Sequence, residues 1–185
     1  MLDGVTNRMG EYYFLFDREY LVPLRFKHEK IAKYKWRKAS RAIRWLQLVP
    51  YLRAVFASGS LAMNNTDELS DLDVLIVVKH GHIWLTRFLI TAVLSLLRIR
   101  RRAGDLIAPD KICPNHYITD KSLFILFKSI YTAQTYASLA PMYIYSPDLI
   151  EYFKKSNAWV SGYVFNWNLG RSEENQQLRD PATKL

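Results

Sequence analysis

The sequence predicts an α/β fold of the α+β kind, a small mixed β-sheet flanked by helices, and three observations carry that expectation. Short apolar runs rich in β-branched residues alternate with longer segments of helical periodicity. Turn-forming clusters, Ser58-Gly59-Ser60 and Asn64-Asn65-Thr66-Asp67, stand between the runs. Half of the 185 residues are hydrophobic and 14% are aromatic, enough for a core that needs neither disulfides nor a structural metal.

In chain order, Arg25 to Arg44 holds nine basic residues against one acid, Glu29. Ile31, Tyr34, Ala42, Trp45 and Leu46 recur there at near-helical spacing, which predicts a helix with one face on the core and Pro50 as its stop. Tyr51–Ala57 reads as a strand, and Asp71–Val78 alternates before turning wholly apolar, the pattern of a buried strand. His82–Arg98 reads as a buried helix. Its clean apolar run, Phe88–Leu97, is about half of the roughly 20 residues a spanning helix needs. Lys111–Thr119 is a third strand, which Pro114 assigns to an edge or a bulge. Lys121–Leu139 is expected as a long helix with Leu123, Ile125, Leu126, Ile130 and Ala133 inward and Pro141 closing it. Pro147-Asp148 opens a short helix to about Lys155, capped by Asp148 or Ser146. The late cluster around Asn157, Trp159, Val160, Tyr163, Phe165 and Trp167 reads as a C-terminal segment packing on the core. The expected organisation is a basic helical extension at 1–48, a core at 49–140, a helical segment at 141–170 packed on it, and a flexible tail at 171–185.

Composition narrows the function classes. A single cysteine, Cys113, excludes an intramolecular disulfide and any Cys-cluster zinc site. A net charge of +9 and a pI near 9.6 point to polyanionic partners: nucleic acid, nucleotides or an acidic membrane face. The first residues, Met1 to Arg8, lack the apolar core of a signal peptide, so the expectation is a cytoplasmic protein with no transmembrane segment. Arg98, Arg100, Arg101 and Arg102 follow the apolar run directly and leave a peripheral membrane contact open.

One segment concentrates the chemistry: Ser58-Gly59-Ser60, ten residues, then Asp71-Leu72-Asp73 leading into an apolar strand. Side chains alternate on a strand, so Asp71 and Asp73 share a face, roughly 7 Å apart along the backbone. Two carboxylates so placed repel each other unless a cation lies between them. Oxygen ligands of this kind suit Mg²⁺ or Mn²⁺, which keep some water and accept phosphate oxygens from a substrate. Gly59-Ser60, at the mouth of a strand and before a short helix, offers N–H groups and a hydroxyl to a phosphate.

That combination resembles the signature of the DNA polymerase β-like nucleotidyltransferases, especially their minimal members, with a Gly-Ser pair followed after ten residues by Asp-x-Asp. The likeness covers about Tyr51 to Val78, and more loosely extends to Leu139. It implies that Gly59 and Ser60 hold the phosphates of an NTP, most simply ATP, and that Asp71 and Asp73 bind Mg²⁺ or Mn²⁺. An acceptor hydroxyl on a small molecule, a protein or RNA would then take the NMP, and pyrophosphate would leave. A third carboxylate on a later strand usually completes this site, and here the chain departs from the pattern. Lys111–Ile118 contains no acid; Asn115 is the expected occupant, with Asp110 and Asp105 just upstream as substitutes. The departure leaves an alternative open, a catalytically inactive domain that binds a nucleotide, RNA or a partner protein. Two nearby residues have plainer readings: Cys113 as a small buried hydrophobe, and His116 as a strand histidine facing a helix or solvent rather than a general base. The basic Arg25–Arg44 segment, with Tyr34, Trp36 and Trp45 interleaved, is either a solvated helix face or a grip on nucleic acid.

Overall fold

The computed structural model describes residues 6–165 and 167. A hairpin of β1 (Thr6–Met9) and β2 (Tyr12–Leu15) precedes the long helix α1 (Leu21–Leu46). Then follow β3 (Leu52–Ala57), the one-turn α2 (Gly59–Ala62), β4 (Leu72–Val78), α3 (Ile83–Leu96) and β5 (Ile112–Thr119). The chain continues through α4 (Ile130–Ala137), β6 (Ala140–Ile144), α5 (Asp148–Ser156) and a 3-10 helix at Ala158–Gly162. The mixed α+β architecture is as expected: a four-stranded sheet in the order β5-β4-β3-β6, with the hairpin as a separate two-stranded sheet.

The sheet is mixed because its connections differ in length. β3 and β4 run antiparallel across the short α2 turn, and β6 returns antiparallel on the other side of β3. β4 and β5 are parallel, which requires a crossover, and α3 supplies it. Both central strands are buried on both faces, and alternation divides their side chains. Leu72, Val74, Ile76 and Val78 lie beneath α1 with Trp36, Ala39 and Ile43. Leu75 and Val77 point to the other face, with Ala54, Phe56, Tyr136 and Phe153. Each large apolar side chain withdrawn from water here contributes about 2 kcal/mol.

Four expectations need correction. On α1, Ala42 and Leu46 are buried as expected, but Tyr34 and Trp45 are exposed, and Ala32, Lys35, Trp36 and Ala39 fill the inward face instead. Trp36 is therefore unavailable for stacking, and its Nε1 donates to Asn64 Oδ1 at 2.8 Å. The long helix expected over 121–139 exists only from Ile130 to Ala137. Ser129 starts it with a reciprocal capping box to Thr132. The preceding residues stay non-helical, with the fully buried Asn157 accepting from Ile125 N–H and donating to the Leu123 carbonyl, which anchors that stretch to the C-terminal helices.

Pro141 does not end a helix but lies in β6, an edge strand, where a missing N–H costs little. Finally, α3 is only half a buried helix: Thr86, Ile90 and Leu94 are buried, while Trp84, Leu85, Phe88 and Leu96 face out. Pro114 does lie in an edge strand and at an irregularity, since β4 advances from Asp73 to Leu75 while β5 advances from Cys113 to His116. Among the described residues no helix is long and apolar enough to cross a membrane. The tail at 171–185 lies outside the described residues.

Candidate metal and nucleotide site

The face of the sheet that carries Leu75 and Val77 changes character at the N-terminal end of β4, where alternation brings Asp73, and Asp71 just before it, onto that same face. The β3–α2 turn closes over them. Ser58 N–H donates to the Asp73 carbonyl at 3.0 Å, so the turn is tied to β4 at Asp73 itself. Gly59 follows with φ +59°, a left-handed conformation in which a side chain is strained. A Cβ there would also lie 3.1 Å from Asp73 Oδ2, so the glycine is what lets the backbone approach the carboxylate. Ser60 begins the single helical turn beside it and is partly exposed.

Parallel pairing with β5 sets Cys113 directly opposite Asp73. One ligand atom from each of Asp71, Asp73 and Cys113 lies within 4.8 Å of the others, the one such cluster among the described residues. The position facing the two acids is thus held by a thiol, with Asn115 beside it: its Nδ2 donates to Asp73 Oδ1 at 3.0 Å. Sequence reasoning assigned that position to Asn115 and treated Cys113 as buried filling. Alternation alone places 113 and 115 on one face; what the pattern cannot show is the irregularity at Pro114 that lets Cys113, Asn115 and His116 all turn toward the site side. The two upstream acids are occupied elsewhere. Asp110 pairs with Lys35 and Lys38, and Asp105 accepts from Arg102 N–H. Of the two plainer placements for His116, helix or solvent, it takes the helix: it faces α4, with Nδ1 3.0 Å from the Tyr136 hydroxyl.

The electrostatics are those of crowded like charges. Burial, and then the neighbouring Asp71 carboxylate, push the Asp73 carboxyl above its ordinary range. The Cys113 thiol is pushed up to about 11, first by burial and then by the two aspartates, so at neutral pH it is protonated. One cation answers the pair: Arg101, on the segment leading to β5, pairs through Nη1 with Asp71 Oδ2. Its Nη2 donates to the Asp105 carbonyl at 3.2 Å. Sequence reasoning did not single out Arg101, which stood among four arginines with no pattern to separate it.

The donor set fits a divalent cation at the carboxylates. One carboxylate oxygen of Asp71 lies within 4.8 Å of one of Asp73, near enough for a cation to bridge them, and Asp71 already draws the Arg101 guanidinium. A protonated thiol is a poor ligand for Mg²⁺, so Cys113 leaves the hard-ligand set at two acids.

No family model matches the chain, and no curated protein matches it. Among solved structures, one described as the crystal structure of a toxin–antitoxin with AMP-PNP aligns over 69% of this chain and 87% of its own. The identity is 14% and the TM-score 0.40. The chemistry of the site therefore stands on its own side chains.

Proposed function

We propose that this chain is a divalent-metal-dependent nucleotidyltransferase that moves an NMP, most simply AMP, from an NTP to a hydroxyl acceptor. The observation that carries this reading is the convergence of Asp71 and Asp73 beneath a glycine whose missing side chain leaves the backbone against Asp73. Asp71 and Asp73 would hold Mg²⁺ or Mn²⁺, which would neutralise the triphosphate and polarise its α-phosphate. Gly59 and Ser60 offer a backbone N–H and a hydroxyl to the β- and γ-phosphates. The acceptor oxygen forms a bond to the α-phosphorus, the bond from that phosphorus to the bridging oxygen breaks, and pyrophosphate leaves. The acceptor's proton would pass to a carboxylate oxygen of Asp73, the acid that stands nearest the Gly59 turn. Asn115 holds that carboxylate by its other oxygen. Residues 49–140 would form the catalytic core. α1 belongs to it physically, since its buried face joins the same cluster as the sheet.

A second reading, an inactive domain that binds a nucleotide, RNA or a partner protein, is favoured by Cys113 standing where a third acid would complete the site. Incubation with each α-³²P-labelled NTP and Mg²⁺ or Mn²⁺, with and without cell lysate, separates the two. Label moving to an acceptor with wild type and not with Asp73→Asn is the expected result. Metal-dependent nucleotide binding with no transfer would establish the second reading. As for a polyanion on Arg25–Arg44, the structure narrows the available residues. Lys35 is buried, Lys38 is paired, and Arg25 is bound to Glu29 and the Met63 carbonyl. Lys30, Lys33, Arg37, Arg41 and Arg44 remain as one exposed stripe at helical spacing.

A further inference from the structure

One side of α3 is an open apolar surface. The helix buries Thr86, Ile90 and Leu94, and the side facing away from them carries Trp84, Leu85, Phe88 and Leu96, which are 78%, 48%, 68% and 85% exposed. A helix apolar all round is ordinarily covered on every side. Here one side is open, over about 20 Å of helix. Large exposed apolar patches mark docking surfaces.

Charge around the ridge selects the occupant. From Lys79 to Arg102 the chain holds no acid, and besides Arg101, which is paired with Asp71, five lysines and arginines. Arg87 flanks the ridge, with its guanidinium 5.9 Å from the Trp84 ring centroid and 5.3 Å from that of Tyr117 on β5. The neighbouring helix adds to this. α1 and α3 contribute to one cluster on the same sheet face, so their outer sides look the same way, and α1 presents its basic stripe, Arg37, Arg41 and Arg44 included, on that side. A second copy would bring the same cations against these and repel. A neutral helix would leave them without counter-charges. The ridge is a convex helix surface with an indole, a phenyl ring and two leucines, which has no groove to clasp a peptide but can sink into the boundary between lipid headgroups and acyl chains. Trp is favoured at that depth, and arginines beside it pair with anionic headgroups.

We propose that the outer surface formed by α3 and the basic stripe of α1 docks this protein on an anionic lipid bilayer, with Trp84, Phe88 and Leu96 inserted and the arginines on the headgroups. The proposal does not depend on the nucleotidyltransferase reading, because neither helix surface includes a residue of that site.

Cosedimentation with vesicles of phosphatidylcholine alone, or mixed with phosphatidylglycerol at 3:1, tests it at low and physiological salt. Wild type is expected to pellet with the mixed vesicles, at least tenfold more than with the neutral ones, and to weaken as salt rises. Phe88→Glu is expected to lower binding at least tenfold while leaving the thermal melt unchanged, since that ring is largely solvated in the fold. Paired Arg37→Gln and Arg41→Gln are expected to reduce the salt dependence. Failure to pellet at low salt overturns the proposal. So does pelleting that Phe88→Glu leaves untouched, since the ridge then plays no part. A stable dimer that Phe88→Glu dissociates would assign the ridge to a second copy. Displacement from the vesicles by RNA with unaltered Phe88→Glu affinity would assign the basic stripe to nucleic acid.

Discussion

Asp110 and Asp73 flank the entry to one pair of strands, yet their surroundings are opposite. Asp110 meets Lys35 at 3.0 Å and Lys38 at 2.6 Å. Burial works against its charge, but the two lysines prevail and hold its carboxyl below the ordinary value. Lys35, 1% exposed, also donates to the Glu68 and Ser70 carbonyls at 3.2 and 2.5 Å. It therefore fixes the segment that ends in Asp71 and the one that begins β5. Asp73 instead faces another carboxylate and a protonated thiol, and its carboxyl lies above the ordinary value. A cluster built for stability matches each charge with its opposite. A cluster left crowded stores an unfavourable arrangement that a ligand can relieve. The first holds the second in place.

The largest effect that would sharpen the contrast is catalytic. Asp73→Asn is expected to lower label transfer by about a thousandfold or more, about 4 kcal/mol of barrier. The same substitution removes one of two repelling charges, so the melting temperature should not fall. A melt that drops by several degrees would mean that Asp73 is structural after all. The reverse pattern is expected for Lys35→Met. Breaking a buried pair by removing one partner costs about 3 kcal/mol, on the order of 9 °C in a chain of this size. Lys38, a third exposed at its side chain, should cost under about 1 kcal/mol when changed to Ala. Equal losses for the two lysines would show that burial does not distinguish them.

Arg101 gives a smaller and more pointed effect. Its guanidinium occupies Asp71, so a divalent cation must displace it before both carboxylates are free. Arg101→Gln is expected to tighten Mn²⁺ binding several-fold, read by the loss of free-ion resonance in electron paramagnetic titrations. Unchanged affinity in that variant, with Asp71→Asn abolishing binding, would mean that the arginine does not compete.

Much of this arrangement was legible in the sequence because alternation and turn chemistry are local. Asp71 and Asp73 on one face, Gly59 at the turn and the strands on either side all follow from spacing within a few residues. Three things did not follow. The inward face of α1 was misplaced because aromatic residues were read as core, while the residue that matters most there, Lys35, is buried only because Asp110 and two distant carbonyls satisfy it. Residues 121–129 have helical composition but are held out of a helix by Asn157, more than thirty residues beyond Leu123 and Ile125 in sequence. Cys113 joins the aspartates through a strand pairing with an irregularity at Pro114, and no single-strand pattern reports the register of its neighbour.

The smallest expected effect is also the one that tests both clusters in a single measurement. For Asp110 the folded carboxyl is more acidic than the unfolded one. Its stabilising contribution is therefore full above the unfolded value of about 3.9 and is lost as pH falls through the lower folded value. For Asp73 the shift is upward. Between the unfolded and the raised folded values the native state binds more protons than the unfolded one, so stability falls there as pH rises. Asp110→Asn should flatten the acid limb of a melting-temperature profile below about pH 4. Asp73→Asn should instead lift the profile above that pH and leave the acid limb in place. Addition of Mn²⁺ to wild type should abolish the Asp73 contribution, because a bound cation favours the ionised carboxylate and reverses the direction of its shift. Identical profiles for the two variants would mean that the two carboxylates share one environment, and the distinction between the paired and the crowded cluster would fall.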